Sequence, residues 1–213
     1  MKSGGYIVVE GPIGVGKTTL ARILADEFGA RLVLEQVDEN PFLRRFYDDP
    51  EQYAFQAQLF FLLTRYRQQQ ALAQQELFRQ TIVSDYLFAK DQIFAQTNLS
   101  VDELALYRQL FQLLDARLPK PDLVVYLQAR TDVLLARLRK RAREYERRIT
   151  PEYLQRIAEA YKEFFFQYEE TPLLVVNCSE IDFVANSEDT VDLIREIHSM
   201  GQGVQHYIPL GSR

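Results

Sequence analysis

The stretch Gly11-Pro12-Ile13-Gly14-Val15-Gly16-Lys17-Thr18 decides the fold. It follows the pattern G-x-x-x-x-G-K-[ST] and lies between an apolar run, Tyr6-Ile7-Val8-Val9, and a helical pattern that begins at Lys17. A strand, a glycine-rich turn and a helix in that order let backbone N–H groups converge on phosphate oxygens. The helix N-terminus adds partial positive charge. In this role Lys17 reaches the β- and γ-phosphates, the Thr18 hydroxyl is placed for Mg²⁺, and Thr19 continues the phosphate-binding turn. The stretch predicts a site for ATP with Mg²⁺, and it leaves open what is phosphorylated.

Outward from this loop, short apolar runs alternate with long helical patterns. The runs cover residues 6–10, 31–35, 81–84, 123–128 and 173–177. Four to six residues each, without clean polar alternation, is the signature of buried parallel strands. Helices are predicted over 17–28, 40–47, 51–79, 89–97, 101–117, 133–143, 151–168 and 188–199. The alternation implies an α/β fold, a doubly wound parallel sheet of five strands with helices on both faces. Ligands of such sheets bind beyond the carboxyl ends of the strands. The predicted helix over 51–79 is apolar on more than one face, which places it at the centre of the domain or in a subunit interface. Residues 1–200 read as one domain; residues 201–213 carry glycine, proline and glutamine with little periodicity and read as a tail that is either mobile or docked.

Whole-chain properties narrow the function. A net charge of −5 argues against generic nucleic-acid binding, so any basic site is local. No apolar run approaches the length of a membrane span, and the few residues before Tyr6 are too short for a signal peptide. The single cysteine, Cys178, excludes an intrachain disulfide and fits a reducing cytoplasm.

Two carboxylates stand at strand ends, Glu35 after Leu32-Val33-Leu34 and Asp85 after Ile82-Val83-Ser84. One such acid is often a helix cap. Two on successive strands beside a phosphate loop suit a metal-binding acid and a base for a hydroxyl nucleophile. A basic cluster follows at Arg137, Arg139, Lys140, Arg141, Arg143, Arg147 and Arg148. It fits a solvated helix end, a nucleic-acid patch or a lid whose arginines close on the transferring phosphate, and composition does not choose among them.

The order of these features resembles the deoxynucleoside kinase family, from about residue 6 to residue 197. The resemblance implies a P-loop kinase fold with an arginine-bearing lid at about residues 139–150. Glu35-Gln36-Val37 looks like the family's Glu-Pro-Val segment, whose glutamate is the base toward the sugar 5′-hydroxyl. Tyr47, shortly after Pro41-Phe42-Leu43, falls where a family tyrosine meets the 3′-hydroxyl. Gln58, followed by Thr64-Arg65, matches the glutamine and arginine at the base, and Asp91 matches the aspartate paired with that arginine. Asp85 takes the place of the acid in Glu-Arg-Ser, as a ligand of Mg²⁺ with Thr18 and as part of the substrate site. Arg141-Ala142-Arg143 resembles the lid arginines, Glu146 a lid glutamate at the 3′-hydroxyl, and Asp182-Phe183 the loop that holds the donor adenine.

The resemblance implies a homodimeric nucleotide-salvage enzyme that transfers the ATP γ-phosphate to a deoxynucleoside. Deoxyadenosine comes first, then deoxyguanosine or deoxycytidine. A thymidylate-kinase-like monophosphate kinase is the enzymatic alternative, disfavoured because Glu35 would repel an acceptor phosphate. A non-catalytic subunit of the same fold is the other. One departure encourages that last reading: Tyr86-Leu87 follows Asp85 where the family has arginine and serine. The missing cation has to come from elsewhere, with Arg44, Arg45 and Arg137 as candidates.

Overall fold

The computed structural model describes residues 5–74, 80–115, 118–183 and 186–209. Six strands form one parallel sheet: β1 (Tyr6–Glu10), β2 (Arg31–Val33), β3 (Ile82–Ser84), β4 (Leu123–Gln128), β5 (Leu173–Asn177) and β6 (Val204–Tyr207). Their order across the sheet is β2-β3-β1-β4-β5-β6, all parallel. The expected count of five is therefore one short. The sixth strand comes from the segment taken as a tail, which docks on β5 from Leu173↔Val204 to Val176↔Tyr207. It is an edge strand with alternate residues exposed, so it has no continuous apolar run to announce it. Residues 210–213 lie outside the described residues, as do 75–79 and 116–117 at the ends of two predicted helices.

Among the described residues, eight α-helices connect and flank the strands: α1 (Lys17–Glu27), α2 (Leu43–Asp48), α3 (Pro50–Gln74), α4 (Asp91–Asn98), α5 (Val101–Asp115), α6 (Thr131–Arg141), α7 (Pro151–Phe166) and α8 (Ser187–Ser199). Strand side chains alternate between the two faces of the sheet. Ile7 and Val9 of β1, with Val125 and Leu127 of β4, pack against Leu20 and Leu24 of α1, Leu134 of α6 and Leu193 of α8. Val8, Val124 and Tyr126 turn the other way, onto Leu62 of α3, Ile93 of α4, Tyr107 of α5 and Tyr161 of α7.

Helix α3 lies centrally. Its buried stripe runs Ala54, Gln58, Leu62, Arg65, Gln69 and Leu72, at steps of three and four residues, and mixes polar with apolar side chains. That mixture explains why hydrophobicity alone assigned the helix no single face. At the end of β1, the fully buried Glu10 carboxylate accepts hydrogen bonds from the Gly11 N–H (2.8 Å), the Leu87 N–H (2.7 Å) and the Tyr161 hydroxyl (3.0 Å). One side chain thus ties the start of the phosphate loop to the segment after β3 and to α7.

Candidate active site

The phosphate loop leaves β1 and enters α1 through Gly16, which has φ 110° and sits at the helix N-cap. A Cβ there would lie 2.8 Å from Phe183 Cζ, and Phe183 is buried, so the loop requires glycine on two counts. At Gly11 a Cβ would meet the Leu127 carbonyl oxygen at 2.3 Å. Lys17 folds over the loop and donates to the carbonyls of Gly11 (2.7 Å) and Pro12 (3.1 Å). Burial and the nearby charge of Lys90 lower its pKa to about 8. Arg137 donates to Val15 O (3.0 Å) on the loop and to the carbonyls of Cys178 (3.0 Å) and Ile181 (2.9 Å) beyond β5. It braces the phosphate loop and lines the cavity.

Asp85, just past β3, joins the loop to the next carboxylate. Its Oδ2 accepts from the Thr18 hydroxyl at 2.6 Å and its Oδ1 from the Glu35 N–H at 2.7 Å. The Glu35 carboxylate faces two cations. Oε1 accepts from Arg65 Nε (2.8 Å) and Nη2, and Oε2 accepts from Lys90 Nζ at 2.7 Å. Burial raises the Glu35 pKa, but the charges of Arg65 and Lys90 outweigh burial and hold the carboxyl well below the usual carboxylate range. Arg65 also pairs with Asp91, and the Tyr107 hydroxyl donates to Asp91 Oδ2 at 2.6 Å. Gln58 donates to the Asp91 backbone carbonyl at 3.0 Å, lies within hydrogen-bond reach of Tyr107 and lines the cavity.

These groups surround one cavity of about 620 Å³. Residues Ile13 to Thr19 line its donor end; Glu35, Gln58, Arg65, Asp85 and Lys90 line the other. Asp91 stands behind Arg65, fully buried and outside the lining. Gly11 and Pro12 are likewise behind the loop's surface. From the lid, Arg141 pairs bidentately with Glu146, and Arg143 donates to the Tyr145 hydroxyl at 2.8 Å. Tyr145 reaches Asp38 Oδ1 at 3.2 Å and stacks on Tyr47, with ring centroids 6.0 Å apart. Burial, with Tyr153 and Glu146 nearby, raises the Tyr47 pKa well above the tyrosine range. Asp182 lines the cavity beside Phe183, whose ring closes on Gly16.

Every residue expected in the site therefore lies at this cavity or directly behind its wall. Of the proposed substitutes for the missing arginine, Arg44 and Arg45 are exposed, with Arg45 over the Tyr53 ring, whereas Arg137 lines the cavity and donates to three carbonyls. Tyr86, in the arginine's place, is fully buried and outside the cavity lining. The cation beside Glu35 that the sequence did not single out is Lys90, from the 3-10 turn Phe88–Lys90. Its only sequence signal is a lysine inside the apolar run Leu87-Phe88-Ala89, next to Asp91. Tyr145, the stacking partner of Tyr47, was also missed.

The deoxynucleoside kinase family model matches residues 7–201 of the chain. The deoxyguanosine kinase of Bacillus subtilis is 37% identical over 194 residues, which span 89% of this chain and 94% of that protein. The deoxyadenosine kinase of Lactobacillus acidophilus is 31% identical, over 90% of this chain and 94% of the relative. Among solved structures, deoxyadenosine kinase from M. mycoides with bound dATP superposes with a TM-score of 0.78 at 25% identity, covering 92% of this chain and all (100%) of that one. With a phosphate loop, strand-end acids and an arginine lid around one cavity, and with this match along nearly its whole length, the chain belongs to the deoxynucleoside kinase family.

Proposed function

We propose that this enzyme transfers the γ-phosphoryl group of ATP to the 5′-hydroxyl of a purine deoxynucleoside, deoxyadenosine or deoxyguanosine, with deoxycytidine after them. The observation that carries this reading is the Glu35 carboxylate, ionised and aimed by two cations, in the same cavity as the phosphate loop. A carboxylate there suits a neutral hydroxyl and repels an acceptor already phosphorylated. The names of the relatives support the two purines, and Gln58, whose amide carries both donor and acceptor atoms, lines the cavity.

In this mechanism the loop N–H groups and Lys17 hold the triphosphate, and Glu35 accepts the 5′-hydroxyl proton as the oxygen attacks in line. Phosphoryl transfer asks the protein mainly for positioning and charge, so Arg141 and Arg143 act by closing over the phosphates. Gln58 and Arg65 hold the base, with Asp91 fixing Arg65 from behind. Tyr47 and Glu146 hold the 3′-hydroxyl, and Asp182-Phe183 borders the donor base.

Thr18 and Asp85 would hold Mg²⁺. Their oxygens, 2.6 Å apart, are the hard donors that ion takes, and no cluster of three acidic, histidine or cysteine ligands occurs among the described residues. Two protein oxygens are enough for an ion that draws its other ligands from water and substrate phosphates. Once bound it would neutralise charge on the phosphates.

The chain works as one kinase domain with a lid at about residues 139–150, in the cytoplasm, as a homodimer. Among the described residues no helix is long and apolar enough to cross a membrane. Leu63 of α3 and Leu106 and Leu113 of α5, exposed on helices that pack together, offer an apolar surface for the second subunit. Turnover with ATP–Mg²⁺ across the four natural deoxynucleosides and their monophosphates tests the reaction. Purine deoxynucleosides should lead, and turnover confined to monophosphates would refute it.

A further inference from the structure

The acceptor end of the cavity holds a linked set of ion pairs, Glu35 and Asp91 against Arg65 and Lys90, with the Asp85 carboxylate beside it on the Glu35 N–H. Arg65 spends its guanidinium on both carboxylates. Lys90 has a single carboxylate partner among the described residues, Glu35 Oε2 at 2.7 Å, and lines the cavity with its side chain 3% exposed. A lysine is rarely buried to that degree unless its ammonium is paired. The turn that carries it is also anchored. The Leu87 carbonyl accepts from the Lys90 N–H at 3.1 Å, and the Leu87 N–H is held by Glu10 at 2.7 Å. Glu10 is the residue that grips the start of the phosphate loop, so the fold fixes Lys90 relative to Lys17. Without Lys90 the acceptor end would present one more uncompensated negative charge to the incoming triphosphate.

We infer that Lys90 is the positioning cation of the phosphoryl transfer: its ammonium fixes Glu35 Oε2 against the acceptor hydroxyl and offsets the Glu35 charge toward the triphosphate. It thereby supplies the charge that Tyr86, buried in the interior, does not. The inference rests on Glu35 being the base.

The test compares wild-type enzyme with Lys90→Met, Lys90→Arg, Glu35→Gln and the double variant Glu35→Gln/Lys90→Met. It reads kcat, KM for the deoxynucleoside and Kd for ATP. Lys90→Met should lower kcat by about thirtyfold or more while KM and the ATP Kd stay within about threefold. Lys90→Arg should recover kcat to within about fivefold of wild type, and in the Glu35→Gln background the Lys90→Met change should cost less than about threefold, because the two residues act as a unit. The inference is overturned if Lys90→Met keeps kcat within about threefold, if Lys90→Arg is no better than Lys90→Met, or if the full loss recurs on Glu35→Gln. Wild-type kcat in Glu35→Gln alone would instead reject Glu35 as the base, and the inference with it. Should Lys90→Met lose cooperative thermal unfolding, Lys90→Arg carries the test: recovery of kcat supports the role, and a loss above about thirtyfold with intact ATP affinity overturns it.

Discussion

The two ends of the cavity are built on opposite plans. The donor end is made of contiguous backbone, eight residues from Gly11 to Thr18 that need only glycines and a helix start to form a phosphate cradle. The acceptor end is made of side chains from four places: the segment after β2, α3, the turn after β3, and α4, brought together as a buried, ion-paired group of four charges. The first plan is robust because its donors are covalently in place. The second depends on packing, and each charge is stable only while its partners remain.

Substitutions at each end separate the plans. Lys17→Met should have the largest effect, a loss of about a thousandfold in kcat/KM for ATP, with thermal stability little changed because its hydrogen bonds among the described residues go to loop carbonyls. Equal kcat/KM would dismiss Lys17 from the donor end. Arg65→Met should do the reverse and cost stability first. It leaves Glu35 with Lys90 alone and Asp91 with the Tyr107 hydroxyl and no cation among the described residues, and calorimetry or denaturant titration should show a loss of about 3 kcal/mol or more. Unchanged stability would mean the four charges are not a unit.

Gly16→Ala brings a Cβ within 2.8 Å of the Phe183 ring at φ 110°, and should cost about 2 kcal/mol of stability together with ATP affinity. A gentler probe is pH. Lys17 is protonated below about 8 and loses its charge above it, so ATP affinity of the free enzyme should fall toward about tenfold per unit as pH rises past that value. Flat affinity up to pH ~10, an unperturbed lysine's range, would show that neither burial nor the Lys90 charge lowers the Lys17 pKa.

The same contrast explains what was legible in the sequence. The donor end could be read directly, because its chemistry lies in one run of residues. Five strands were visible as buried apolar runs, whereas Val204–Tyr207 was not, being a four-residue edge strand with alternate side chains in solvent. Gln58 and Arg65 were reached through the family resemblance, and their spacing of seven residues places both on the buried face of α3. Lys90 could not be found that way. A lysine in a sequence is ordinarily a solvated one, and only the tertiary structure turns this one inward onto Glu35, 55 positions away. Tyr86 signalled that a cation was missing without indicating where its replacement stood.

The most direct test of the two-ended account is Glu35→Gln, measured for kcat and, separately, for ATP binding by calorimetry. The account predicts a fall in kcat of about a hundredfold or more with an ATP Kd within about threefold of wild type. Wild-type turnover, or ATP affinity lost in step with kcat, would contradict it.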